Sequence, residues 1–295
     1  MKVAAFDFDG TLHHPPHGFR EEDIAAIDAW RRAGHLAISA TGRSRTALAY
    51  GMRGSGLRFD YQVLSNGGSA TDGENRELIF GHEVAGSVLQ AALDAYGSRD
   101  GLAIFGTTLG SVDGVFANNT GVTHTFTAHF QQMSPADIPD HRFAVVPIWV
   151  PGNAGLRAEV VDWASALGEV EVAQNQDYID LMAPGRSKGS GILQLLDELR
   201  LPRESLQLYT FGDSWNDLPM HAIADVSHAF HHSLPRCAPP RTASSAPWRR
   251  SWASTCSAPH TDRLAAGKTL LDGPTNADKF PQMILNIIVG IGLTV

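Results

Sequence analysis

Residues 2–11 read Lys2-Val3-Ala4-Ala5-Phe6-Asp7-Phe8-Asp9-Gly10-Thr11. Four consecutive apolar residues, Val3 to Phe6, match a short strand buried on both faces. The run stops abruptly at two acids and a glycine. Downstream, residues 19–33 carry Glu21, Glu22 and Asp23 where a first helical turn would be, with Ile24, Ile27 and Trp30 near helical spacing and Gly34 as a stop. Residues 35–39 then read as a second strand, 45–53 as a second helix and 61–64 as a third strand. Strands separated by helices require a parallel sheet with right-handed crossovers, so the expected class is α/β with a Rossmann-like parallel-sheet core.

The pattern changes after Gly67. Helix-like segments at 83–96 and 154–167 are mixed with strand-like runs at 102–105, 143–150, 170–173 and 178–182, as in an inserted α+β domain with antiparallel pairing. The first pattern resumes with helix 189–199, strand 206–211, helix 216–223 and strand 226–230. This reading assigns 1–67 and 185–232 to a discontinuous core and 68–184 to the insert. Residues 226–261 contain no Asp or Glu but include Arg236, Arg241, Arg249 and Arg250 among unpatterned Pro, Ser and Trp. The segment 233–295 therefore reads as an aberrant tail, either the product of a shifted reading frame or a naturally disordered end.

Composition narrows the classes. The 295 residues include 43% hydrophobic side chains, enough for a sizeable core, and carry a net charge of −8, unlike a nucleic-acid or acidic-membrane binder. Two cysteines, Cys237 and Cys256, cannot form a disulfide framework or a four-thiolate zinc site. Asp7 and Asp9 interrupt any N-terminal leader pattern, and the apolar run 283–295 is shorter than a membrane span. The expectation is a soluble cytoplasmic enzyme.

Each strand end then offers chemistry. Asp7 and Asp9 stand where an open parallel sheet binds ligands, although a surface turn uses the same residues. Ser39-Ala40-Thr41-Gly42-Arg43 places a hydroxyl and an amide just before a helix, which suits an anion or an ordinary helix cap. Lys188, in Gly185-Arg186-Ser187-Lys188-Gly189, lies in a first helical turn, where a cation opposes the dipole; a phosphate would explain it, as would solvated surface. Gly212-Asp213-Ser214-Trp215-Asn216-Asp217 gathers hard oxygen donors of the kind that bind Mg²⁺, or that cap the next helix. His13, His14 and His17 are broken by Pro15 and Pro16 and read as a polar loop rather than a second metal site.

Taken in order, these four motifs resemble the haloacid dehalogenase-like hydrolase superfamily, and the insert lies where the type IIB cap sits in Cof-type sugar-phosphate phosphatases. The resemblance covers about residues 1–232. It implies Asp7 as nucleophile and Asp9 as general acid and base. It further implies Thr41, Gly42 and Lys188 as phosphate-binding groups, and Mg²⁺ held by Asp7, Asp9 through its carbonyl, and Asp213. Asn216 and Asp217 would orient the metal shell or Lys188, and Arg43 and Asn66 are further candidate contacts. The implied activity is Mg²⁺-dependent hydrolysis of a small phosphorylated metabolite through an aspartyl-phosphate. A phosphomutase shares every motif, and a non-catalytic phosphometabolite-binding protein is the third possibility. Phe8 and Trp215 are bulkier than many members carry between their acids.

Overall fold

The computed structural model describes residues 1–15, 17–79 and 81–230. The reading of 233–295 as a shifted-frame or disordered tail lies outside the described residues. The chain runs β1 (Lys2–Phe6), α1 (Glu21–Arg32), β2 (Leu36–Ala40), α2 (Arg45–Met52), β3 (Tyr61–Leu64), β4 (Ser69–Asp72) and β5 (Glu77–Ile79). It continues through α3 (Gly86–Tyr96), β6 (Ala103–Thr108), β7 (Gly114–Asn118), β8 (Gln131–Gln132), β9 (Phe143–Trp149), α4 (Ala154–Ala166), β10 (Glu171–Asn175) and β11 (Tyr178–Met182). The last described elements are α5 (Lys188–Glu198), β12 (Gln207–Phe211), α6 (Leu218–Ala222) and β13 (Val226–His228).

The first sheet has the order β13-β12-β1-β2-β3-β4-β5. Its strands are parallel from β13 to β3, as the α/β reading requires. Alternation along β1 explains its unbroken apolar run. Val3 and Ala5 face Ile192 and Leu195 of α5 and Met220 of α6, whereas Ala4 and Phe6 face Ile27 and Trp30 of α1 and Leu48 of α2. Each fully buried large side chain in these layers, such as Phe6 or Ile27, stabilises the fold by about 1.5–3 kcal/mol relative to exposure.

The boundary expected at Gly67 moves. β4 pairs antiparallel with β3, and β5 with β4, so both extend the first sheet rather than the insert. The cause is a tight reversal at Ser65, Asn66 and Gly67, with φ of 51°, 51° and 90°. Two non-glycine residues in the left-handed region are held there by their surroundings. A side chain at Gly67 would meet the Ser187 carbonyl oxygen at 2.1 Å. The expected helix 216–223 also shortens. Residues Trp215–Asp217 form one tight 3₁₀ turn, and α6 begins at Leu218 with Pro219 in its first turn, where a missing N–H costs no helical bond.

The second sheet, β10-β11-β9-β6-β7-β8, is antiparallel except between β7 and β8. Helices α3 and α4 cover one face, packing Leu89, Leu156 and Val160 on Ile104, Val146, Ile148, Ile179 and Leu181. The alternate residues of those strands, Ala103, Phe105, Trp149 and Tyr178, belong to the opposite face. That face turns toward the first sheet.

Candidate active site

β1 is followed by a crossover to β2 on one side, while β12 returns on the other side of β1. The crevice beyond the carboxyl ends of β1 and β12 is therefore the switch point of the sheet, where open α/β folds bind ligands. The Asp7 N–H donates to the Phe211 carbonyl at 2.8 Å, extending the strand pairing by one residue and fixing the first acid over that crevice. Ser187 caps α5 by accepting the Ser190 N–H, and the next residue, Lys188, points inward with 1% exposure. Its ammonium donates to Asp7 Oδ1 at 2.5 Å and to Asp217 Oδ1 at 2.6 Å. The unfavourable first-turn cation is thus explained by two buried carboxylates.

Asp217 is a positioning group. While Oδ1 holds Lys188, Oδ2 accepts the N–H groups of Asp213 at 2.9 Å and Ser214 at 2.8 Å. Asp213 lies against the first motif, where Thr11 Oγ1 donates to it at 3.2 Å. Gly10 is needed here. Its φ is +85°, and a Cβ would meet Asp213 Oδ2 at 2.6 Å.

Asp7, Asp213 and Asp217 offer ligand oxygens within 4.8 Å of one another. Burial, and then the Asp217 charge, push the Asp7 carboxyl well above the usual range, against the pull of Lys188. Three buried carboxylates facing one ammonium have a deficit of positive charge. A hard, oxygen-seeking divalent cation such as Mg²⁺ fits that donor set.

Asp9 is placed apart from this cluster. Its carboxylate accepts Arg43 Nε at 2.7 Å and Nη2 at 2.6 Å, a two-pronged pair, and His13 Nδ1 lies 3.6 Å away. Burial would raise the Asp9 carboxyl, but His13 and Arg43 together outweigh it and hold the group below the ordinary range. His13 is accordingly not in a loose polar loop: its ring stacks on Phe8 at 5.5 Å.

At the end of β2, the Thr41 N–H donates to Val63, and Thr41 Oγ1 accepts the Arg43 N–H at 3.1 Å. A side chain at Gly42 would sit 3.2 Å from Asn66 Nδ2. Asn66 joins three elements: its amide donates to Asp180 Oδ2 at 2.8 Å, and its carbonyl accepts from Asn216 Nδ2 at 3.2 Å. Burial pushes the Asp180 carboxyl up to about 6, with Asn66 and Lys188 opposing the rise. Of the residues expected from sequence, Asp7, Lys188, Asp213 and Asp217 converge; Thr41, Gly42, Asn66 and Asn216 form the adjoining wall; Asp9 and Arg43 pair with each other.

The second sheet brings residues the sequence reading did not single out. Asp113, between β6 and β7, accepts Ser44 Oγ at 2.5 Å and also Thr46 Oγ1. Ser214 donates to Asn175 Oδ1 at 2.6 Å. Phe126 lies over Arg43, with its ring centroid 4.8 Å from the guanidinium carbon. Asp180 had a visible signal, as an acid inside the apolar strand Tyr178-Ile179-Asp180-Leu181-Met182. Asp113 and Phe126 had none, because their partners are more than sixty residues away in sequence.

Comparison with known proteins bears on the family and the fold. A phosphatase named HMP-PP phosphatase from Klebsiella pneumoniae (strain 342) is 23% identical over 233 residues, covering 78% of this chain and 83% of that protein. A protein of the same name from Citrobacter koseri is 23% identical over 74% of this chain and 80% of its own length. Among solved structures, a haloacid dehalogenase-like hydrolase from B. subtilis superposes with a TM-score of 0.67 at 18% identity, over 80% of this chain and 92% of the other. A subclass IIB sugar phosphatase superposes with a TM-score of 0.63 at 19% identity, over 78% and 94%. Residues 4–237 match the family model described as haloacid dehalogenase-like hydrolase, and the chain belongs to that family.

Proposed function

We propose that this chain is a Mg²⁺-dependent phosphatase that hydrolyses a small phosphorylated metabolite through an aspartyl-phosphate on Asp7. The observation that carries the reading is the buried Asp7–Lys188–Asp217 array beside Asp213. Lys188 lowers the repulsion between an anionic nucleophile and a phosphate, and its double anchorage fixes it there before substrate arrives. Asp7, the Asp9 carbonyl and Asp213 would hold the ion. Bound there, Mg²⁺ would supply positive charge for the phosphoryl oxygens and keep Asp7 ionised.

Asp7 attacks phosphorus in line, forming one P–O bond as the bond to the leaving oxygen breaks. Thr41 Oγ1 accepts the Arg43 N–H and keeps its own proton for a phosphoryl oxygen, as does the Gly42 amide. Asp9 must donate a proton to the leaving oxygen and later take one from water. His13 and the Arg43 pair together hold Asp9 ionised, so the acid role requires that hold to loosen, with Arg43 letting go. A phosphate dianion competes for the same guanidinium and gives it a partner on release. The second sheet then serves as the cap, reaching the site through Asp113, Asn175 and Asp180.

The test is phosphate release from a panel of phosphate monoesters with and without Mg²⁺. A hydrolase releases inorganic phosphate stoichiometrically, whereas a mutase isomerises sugar phosphates and releases little. Asp213→Ala should raise the Mg²⁺ concentration for half-maximal rate by at least about tenfold, the scale of losing one well-placed ligand. Equal activity of the variant and parent at low Mg²⁺ overturns the metal assignment.

A further inference from the structure

The turn between β6 and β7 reaches the first sheet through one carboxylate. Asp113 is 3% exposed, and its Oδ1 accepts the Thr108 N–H at 2.8 Å within its own turn. Its backbone carbonyl accepts the Gln131 N–H at 2.8 Å, so the residue is braced before its side chain crosses. Oδ2 then accepts two hydroxyls at the start of α2, Ser44 Oγ at 2.5 Å and Thr46 Oγ1. Between them, Arg45 Nη2 donates to the Gly110 carbonyl at 3.0 Å. Three consecutive residues of the first sheet's layer are therefore held by one turn of the second.

The placement has a cost and a use. Burial pushes the Asp113 carboxyl up, against the pull of its three donors. An apolar contact would join the sheets without burying an acid. What the acid adds is direction. α2 has no acid in its first turn and begins with Arg45, which opposes the dipole. Asp113 supplies the missing negative end from across the interface.

From there the hydrogen bonds continue inward. Ser44 Oγ, the cap of α2, accepts the Ala47 N–H at 3.1 Å, and the Ala47 carbonyl accepts Arg43 Nη1 at 3.1 Å. Arg43 Nε and Nη2 in turn hold Asp9. Gly51, in the last turn of α2, leaves the room this needs, because a Cβ there would lie 2.5 Å from Arg43 Nη1. A continuous path thus runs from Asp113 through Ser44, Ala47 and Arg43 to Asp9.

We infer that Asp113 is a positioning residue for proton transfer: it fixes the first turn of α2 and, through Ala47, the Arg43 guanidinium that sets where Asp9 stands. The inference rests on the phosphatase reading for the role of Asp9 as proton donor, though not for the path itself.

Phenyl phosphate and 4-nitrophenyl phosphate, each with the full chain and Mg²⁺, test it. The two esters are close in shape and differ in how much the leaving oxygen needs a proton. Asp113→Ala should lower kcat/KM for phenyl phosphate by about tenfold, a part of the roughly hundredfold or more that a general acid contributes, and for the nitrophenyl ester by less than about twofold. Disturbed packing or weakened phosphate binding would strike both esters alike. An equal fall, or none, overturns the inference and leaves the phosphatase reading standing. Solvent exchange of the Arg43 Nε proton, followed by nuclear magnetic resonance, needs no turnover and should be at least about tenfold faster in Asp113→Ala. If the parent hydrolyses neither ester while that exchange depends on Asp113, the phosphatase reading falls and the placing of Arg43 stands. Unchanged exchange overturns the inference in either case. Should Asp113→Ala fail to fold, Thr46→Val decides, because it keeps the Ser44 cap and removes one of the two links. It should lower the phenyl-to-nitrophenyl ratio of kcat/KM by about threefold, and an unchanged ratio overturns the inference.

Discussion

At the scale of single residues, the array around Asp7 separates chemistry from stability. Asp7 is forced into a buried group of three carboxylates, and its raised pKa shows that ionising it there is unfavourable. Asp7→Asn removes a charge but keeps the shape and an oxygen for Lys188 to bond. Turnover should fall by at least about a thousandfold, because an amide cannot form the phosphoenzyme. The melting temperature measured without metal should not fall, because repulsion with Asp217 and Asp213 is relieved. Substantial Mg²⁺-dependent hydrolysis by the variant, beside an intact melt, removes Asp7 from the nucleophile role. Lys188→Met should behave oppositely in the melt. It leaves two buried carboxylates without their shared cation, which costs about 3–5 kcal/mol when a buried pair is broken, and a melting temperature equal to the parent's would contradict the geometry.

At the scale of elements, β11 links the catalytic crevice to the second sheet through one acid. Asp180 has its carboxyl raised to about 6 by burial, so the folded state holds its proton more tightly than the unfolded state does. Stability from this group is therefore greatest at low pH and declines as pH rises from the ordinary carboxylate value through about 6, then levels off. Asp180→Asn keeps an oxygen for the Asn66 amide and cannot ionise. Its melting temperature relative to the parent should rise across that window and stay high above it. A difference between the two proteins that is flat from pH 4 to pH 8 would mean that Asp180 titrates normally. How legible each element was follows from how its residues are buried. β1, β2, β3, β11 and β12 are apolar runs covered on both faces or nearly so, and their ends carry the acids and the threonine that made the site readable. β4, Ser-Ala-Thr-Asp, and the three-residue β5 have no such run. They exist because the left-handed turn at Ser65 and Asn66 returns the chain along β3, a backbone conformation that residue type did not announce. The aromatic face that turns toward the first sheet was unreadable for a different reason: Phe126, Trp149 and Tyr178 come from a short turn and two strands, and only the pairing of β9 with β11 brings them together.

At the scale of the whole molecule, the corrected boundary between the two sheets makes a prediction of its own. The second sheet has its own core, built by α3 and α4 on β6, β9 and β11, and shares few apolar residues with the first. The first sheet, however, runs to β5, and α5 packs on β3, β4 and β5 as well as on β1. Excising residues 68–184 would remove β4 and β5, expose the hydrogen-bonding edge of β3 and uncover Leu195 and Ile192 in part. Excising residues 83–184 and bridging with a short Gly/Ser linker keeps all seven strands. The shorter excision should give a cooperative melt and measurable hydrolysis of acetyl phosphate, because Asp7, Lys188, Asp213 and Asp217 all lie on retained elements. It should lose selectivity among esters, since the second sheet no longer covers the site. The longer excision should melt at least about 10 °C lower or aggregate, as an exposed strand edge invites pairing between chains. Equal melting of the two shortened proteins would show that β4 and β5 contribute nothing to the first sheet. A shorter protein that keeps the parent's ranking of esters would place selectivity in the first sheet and not in the second.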